Sequence, residues 1–156
     1  MSHIHAEASA TINADPGLVY DILADYKEGH PLVLPDEYFS DLVVEEGGEG
    51  EGTIITFNMK VGGNKTSYKM RVEEPQPGRV LVERDLNSDT RTTFTVDPVG
   101  NEQSLVKIET DWTGSGGVKG LVERIAAPGL LRKVYEAELR KLEEVASAHM
   151  GPEQES

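Results

Sequence analysis

Residues 117–150 read GVKGLVERIAAPGLLRKVYEAELRKLEEVASAHM, and this stretch decides the fold. Val118, Leu121, Val122 and Ile125, then Leu131, Val134, Tyr135, Leu142 and Val145, recur at helical spacing with Lys, Arg and Glu between them. The pattern predicts one long amphipathic helix from Gly117 to about Met150. Pro128 interrupts the backbone pattern, so a break or kink is expected near Ala127 to Gly129. That would leave Gly117 to Ala127 as an adjustable edge and Leu130 to Val145 as an anchor. Nearly everything from Asp41 to Trp112 reads instead as short alternating strands. Sheet followed by helix predicts a curved antiparallel sheet gripping a helix. One helix does not fill a wide sheet, and such layouts leave a cavity between the two layers.

Working outward, His3 to Asn13 alternates. Ile4, Ala6, Ala8, Ala10 and Ile12 lie in one phase, and His3, His5, Glu7, Ser9 and Thr11 in the other. Asp15-Pro16 supplies an N-cap and a first-turn proline for a short helix to about Tyr26. Gly29, Pro31 and Pro35 end it. His30 to Phe39 is expected to be irregular, or to hold a second short helix around Asp36 to Phe39. Six strands follow, at about Asp41 to Glu46, Thr53 to Val61, Thr66 to Glu74, Arg79 to Asp85, Thr90 to Asp97 and Ser104 to Trp112. Turn residues separate them: Gly47-Gly48, Gly62-Gly63-Asn64, Pro75 to Gly78, Asn87-Ser88-Asp89 and Pro98 to Asn101. With connections this short the sheet is antiparallel and seven-stranded. Inner phases are set by Ile55, Phe57 and Met59, by Tyr68, Met70 and Val72, by Phe94 and Val96, and by Val106, Ile108 and Trp112. The strand from Arg79 stays open. Either Val80 and Val82 face inward, or Leu81 does and carries Glu83 and Asp85 with it.

A chain of 156 residues and 17.0 kDa suits a single domain, expected over 1–150, with 151–156 as a disordered polar tail. The formal net charge of -13 argues against nucleic acid and anionic membranes, which require clustered Lys and Arg. With no cysteine, disulfides, thiolate metal sites and a Cys nucleophile are excluded. No stretch is apolar for the ~20 residues of a membrane span, and the N-terminus lacks a signal-peptide core, so a cytoplasmic protein is expected.

The order of strand, short helices, six strands and long helix resembles the helix-grip fold of the START-like or SRPBCC superfamily, which includes the Bet v 1 type. The resemblance covers nearly the whole chain. It is carried by Ile12-Asn13-Ala14-Asp15-Pro16 leading to Val19-Tyr20-Asp21-Ile22-Leu23-Ala24-Asp25-Tyr26, by Glu74-Pro75 with Gly78-Arg79-Val80-Leu81, and by Gly120-Leu121-Val122-Glu123-Arg124. These stretches are similar to bacterial members labelled polyketide cyclase/dehydrase. They mark a fold, whose members include carriers, receptors, cyclases and chaperone partners, so the resemblance implies an apolar-ligand cavity and little more.

The chemistry-bearing residues offer no catalytic motif. His3 and His5 share a strand face, but in the phase opposite the Ile and Ala stripe, so they read as solvent-facing rather than as metal ligands. His149 lies near the chain end. His30 is placed by a possible cavity mouth, and a loop role beside Pro31 is the expected one. Asp85, Asn87 and Asp89 imitate the start of a calcium loop, but Thr90 and Val96 stand where glycine and glutamate are needed, which leaves a hairpin turn. Gly114 to Gly117 reads as a flexible connector and not a phosphate cradle.

The expected ligand pocket is therefore lined by Phe57, Met59, Tyr68, Met70, Thr92, Phe94, Thr110, Trp112 and Tyr135, with Thr66 and Thr90 on the same phases. Tyr68, Thr92 and Tyr135 would orient a hydrophobic small molecule (lipid, polyketide or isoprenoid-like). No cofactor or metal is called for. The enzyme alternative is a polyketide cyclase/dehydrase-type reaction using Tyr68 or an inward Glu83 or Arg84, and a second alternative is a protein-interaction module. An ionisable side chain aimed into the cavity would favour the enzyme.

Overall fold

In the computed structural model the first strand, β1 (His3–Ile12), pairs antiparallel with the last, β7 (Ser104–Thr113), in continuous register from His3 opposite Thr113 to Ile12 opposite Ser104. Residues 3–100, 102–114 and 117–155 are described, for 117–126 and 150–155 as backbone only. Between the two strands come α1 (Pro16–Ala24), α2 (His30–Val33), β2 (Phe39–Glu46), β3 (Ile54–Val61), β4 (Asn64–Gln76), β5 (Val80–Asp85) and β6 (Arg91–Pro98), and α3 (Gly117–Glu155) closes the chain. The seven strands form one antiparallel sheet in the order β1-β7-β6-β5-β4-β3-β2. Helices on one face of such a sheet make the α+β helix-grip architecture.

Period-2 alternation turns Ile55, Phe57, Met59, Met70, Val72, Phe94, Val96, Val106 and Ile108 into the core, all of them buried. On β5 the open choice resolves toward Leu81, which is fully buried and brings Glu83 and Asp85 to the inner face. Val82 is also buried, so apolar character alone does not separate the two phases of this strand.

Asp15 caps α1, its side chain accepting from the Gly17 amide at 3.0 Å. The second short helix corrects the expected position: it spans His30–Val33, and Asp36 to Tyr38 form a turn. Pro31 in the first turn explains the shift, since its fixed φ favours helix entry. Gly29 precedes it because a Cβ there would lie 2.5 Å from the Ile22 carbonyl oxygen. That close approach folds α2 back onto α1 and aims His30 inward.

The break expected at Ala127 to Gly129 does not appear, and α3 is assigned as one helix through Pro128. A proline removes one backbone hydrogen bond and bends a helix without necessarily ending it. Helical backbone also continues through 151–155, where the sequence suggests a polar tail. Ser115 and Gly116 of the expected connector, and the side chains of Val118, Leu121, Val122 and Ile125, lie outside the described residues.

α3 packs chiefly on β1 and next on α2, and only marginally on β3. The inner face of β1 is small, with Ala6 and Ala8 buried between Ile4 and Ile12, so the helix axis comes close. Asn13 fixes the seat, its amide and side chain both donating to Glu143 on the helix, at 2.9 and 3.0 Å. Away from this seat, helix and sheet diverge.

Candidate functional site

The divergence leaves a cavity of about 760 Å³. Its walls come from alternate residues of five neighbouring strands: Phe57 and Met59 on β3, Tyr68 and Met70 on β4, Glu83 and Asp85 on β5, Thr92 and Phe94 on β6, Thr110 and Trp112 on β7. Tyr135 and Glu138 enter from α3 and His30 from α2. All nine residues singled out from sequence line it, as do Thr66 and Thr90, whereas β1 contributes none of its lining. Tyr68 and Trp112 are half-buried and the other seven buried. Cross-strand register makes Phe57 and Tyr68 partners, and their rings stack with centroids 5.5 Å apart. The exposed Lys65 to Ser67 region, with Val61 and Leu130, forms part of the rim.

Two polar chains run along the walls. Thr92 and Thr110, opposite each other in the ladder, share a hydrogen bond of 2.7 Å, and Thr110 is also hydrogen-bonded to the Tyr135 hydroxyl. Burial pushes the Tyr135 hydroxyl well above its usual pKa. The second chain is acidic. Tyr26 donates to Glu83 Oε2 at 2.6 Å, and His30 Nε2 stands 3.5 Å from the same oxygen. His30 Nδ1 donates to the Leu23 carbonyl at 2.8 Å, which leaves Nε2 turned to the carboxyl group. The imidazole is further pinned between the Tyr26 ring, stacked at 4.4 Å, and the edge of Phe94 at 5.5 Å. Burial first, then the neighbouring Glu83, raises the Tyr26 pKa.

Glu138 adds a further carboxyl group to the same cavity. It is 2% exposed, and its Oε2 has no hydrogen-bond partner among the described residues. Burial, and secondarily the charge of Glu83, hold its carboxyl well above the usual carboxylate range. Asp85 differs, because it is committed to its own turn: its oxygens accept from the Asn87 amide at 3.0 Å and the Ser88 hydroxyl at 2.7 Å. The hairpin reading of Asp85 to Asp89 is the geometry found.

His30 is therefore a buried cavity-wall residue rather than a loop residue. Glu138 was missed, although the sequence carries a signal: it lies four residues after Val134 and four before Leu142, inside the apolar stripe. A charge on that stripe marks either a satisfied buried group or a site. Arg84, named with Glu83 as a possible catalytic residue, points away from the cavity, 3.4 Å from Glu73.

His3 and His5 sit on the outer sheet face, each with a ring nitrogen 2.7 Å from Asp111 Oδ1. His5 also reaches Glu7 at 2.8 Å, and the bonds to Asp111 and then Glu7 raise its pKa. Among the described residues, ligand-type atoms converge in threes only there, in the sets His3, His5, Asp111 and His5, Glu7, Glu109, and not in the cavity.

A family model described as polyketide cyclase / dehydrase and lipid transport matches residues 3–147. The chain belongs to this family. Among curated proteins none matches. Among solved structures, the chain is similar to KanY, determined in solution by NMR, with 32% identity, a TM-score of 0.82, and coverage of 94% of this chain and 99% of that one. It shares the fold of the Zhui aromatase/cyclase from Streptomyces sp. R1128, at 17% identity and TM-score 0.80, covering 97% and 98% of the two chains. The norcoclaurine synthase of Thalictrum flavum, solved with dopamine and hydroxybenzaldehyde, has the fold as well, at 17% identity and TM-score 0.70, covering 95% and 88%. A START superfamily protein from Mycobacterium smegmatis shares the fold too, at 14% identity and TM-score 0.72, covering 94% and 99% of the two chains. No helix among the described residues is long and apolar enough to cross a membrane.

Proposed function

We propose that this member of the polyketide cyclase / dehydrase and lipid transport family binds a hydrophobic small molecule in the cavity between sheet and α3. The observation that carries this reading is a volume of about 760 Å³, within the ~300–1,000 Å³ of small-molecule sites, walled by aromatic and Met side chains together with hydroxyl and carboxyl groups. Burial of apolar ligand surface drives binding, at ~25 cal/mol per Å² removed from water. Thr92, Thr110, Tyr68 and Tyr135 set orientation. An open cavity counts against the protein-interaction alternative, which expects a collapsed one.

Native mass spectrometry of the purified chain, under conditions that preserve the fold, should show a retained or added apolar molecule. Met59→Trp, which fills the wall, should abolish that mass while leaving the circular dichroism unchanged. A chain that takes up no apolar molecule from a broad panel sinks the reading.

A second reading is favoured by the acidic chain: Glu83, held by Tyr26 and facing His30, acts as a base on a carbonyl-bearing ligand. The Glu83 carboxylate takes a proton from the carbon beside the carbonyl and becomes a carboxylic acid, while the C–H electron pair passes to the carbonyl oxygen as an enolate. Such proton transfer contributes ~10²–10⁴-fold to rate. A β-diketone incubated in deuterium oxide should exchange its α-hydrogens faster with the protein than without it. Glu83→Gln should lower the protein-dependent rate by ~10²-fold. Equal exchange by both proteins would remove Glu83 from the reaction.

A further inference from the structure

The acid–base reading uses Glu83, Tyr26 and His30 and leaves Glu138 without a task. We infer that the cavity is selective for an apolar molecule carrying a protonated amine, with Glu138 as its counter-ion. The inference rests on the cavity-binding reading and narrows it to a ligand class.

Glu138 is a carboxyl group nearly sealed from solvent, in the wall of a cavity, with an oxygen that no described group satisfies. Leaving such an atom unpaired costs ~1–3 kcal/mol, and more if it is charged. Among the described residues no cation reaches it. Lys65 is exposed on the rim, and His30 has one ring nitrogen on the Leu23 carbonyl and the other toward Glu83. The charged lining is acidic in balance, with Glu83, Asp85 and Glu138 against Lys65 and His30. Asp85 is spent on its turn, and Glu83 Oε2 on Tyr26. An ammonium group brings up to three N–H donors and a full charge to a buried carboxyl group with an unpaired oxygen. The Phe57, Tyr68 and Phe94 rings would carry its apolar body, and aromatic faces also attract a cation. A bare metal ion is a poorer fit, since no convergent ligand set among the described residues lies in the cavity. An anionic ligand would meet repulsion, and an alcohol brings a donor without charge.

Binding of the ammonium form requires Glu138 to ionise, so a proton leaves when the amine enters. The groups around it are Tyr26 after α1, His30 on α2, Glu83 and Asp85 on β5, and Tyr135 on α3. As pH falls Glu138 regains its proton, which weakens amine binding.

The test compares 1-naphthylmethylamine with 1-naphthylmethanol, matched in shape, by isothermal titration calorimetry of the full chain at mildly alkaline pH. The amine should bind at least ~10-fold more tightly, the scale of a single desolvated ion pair. Repeating the titration in buffers of different ionisation enthalpy should show net proton release on amine binding. Glu138→Gln should erase the preference, the amine then binding no more tightly than the alcohol. Equal affinity of the two ligands for the unmodified protein, no proton release, or a preference that survives Glu138→Gln would each overturn the inference. The first two measurements need no variant, so a poorly folding Gln protein does not protect it. If neither ligand nor a neutral apolar dye binds, the cavity-binding reading falls too. If the neutral compounds bind and the amine is not favoured, only the amine falls.

Discussion

Along β1 the inner side chains are Ala6, Ala8 and the partly buried Ala10 between two isoleucines, and α3 lies on that strand. Along β3 and β4 they are Phe57, Met59, Tyr68 and Met70, and the helix barely touches β3. Larger side chains on the far strands would be expected to fill the gap, but they line it instead. A helix seated at one edge of a curved sheet must stand off the other, and side-chain size then decides where it sits rather than how full the interior is. The first region serves cohesion and the second holds space.

The comparison breaks most visibly where the helix is anchored. Leu142→Ala, at 1% exposure, should lower unfolding stability by ~3 kcal/mol, read from urea titration, because it opens a new cavity in packed core. Met59→Ala removes a similar volume beside space that already exists, and should cost under ~2 kcal/mol. Equal losses at the two sites would mean that the far half is as tightly packed as the seat. In the opposite sense, Ala8→Leu adds bulk where the helix sits and should cost ~1–3 kcal/mol.

A smaller effect separates the acidic wall from ordinary core. Because the folded-state pKa of Glu138 is raised above its ordinary value of 4.5, folding binds its proton more tightly. Its contribution is intact below about that value and is lost as pH rises through the folded pKa. Glu138→Gln should therefore be more stable than the natural chain at neutral pH, with a flatter stability profile above pH 4.5. Unfolding midpoints across the pH range would show it, and a destabilised Gln variant at neutral pH would point to a structural partner for the carboxylate. Smallest is the outer face. The raised pKa of His5 gives stability present below 6.5 and lost as pH rises through its folded value. With a side chain 36% exposed, His5→Ala should change little beyond that slope.

The sheet was legible because alternation is a strong signal wherever one face is apolar, as from Ile55 to Met59 and from Val106 to Ile108. The pocket walls followed from the same phases. β5 resisted because Leu81 and Val82 are both buried, and because the correct phase carries two carboxyl groups inward against the general cost of desolvation. The approach of Tyr26 and His30, from segments distant in sequence, makes Glu83 tenable there. His30 was hidden for a related reason: its burial depends on Gly29 meeting the Ile22 carbonyl, a tertiary contact without a periodic signature. Glu138 was visible as a charge on an apolar stripe, but its environment was not.

The pairing of the first strand with the last bears on how the chain comes to fold. β1 occupies a sheet edge whose single neighbour spans Ser104–Thr113, so on the ribosome it waits unpaired until that distant strand has been made. The helix that sits on it is synthesised later still. Contacts so distant in sequence slow folding, and they order it: the β2 to β7 meander can form from local hairpins, whereas the roof of the cavity arrives at the end. A nascent chain stalled before α3 would expose the Phe57, Met59, Tyr68 and Met70 wall to whatever is nearby.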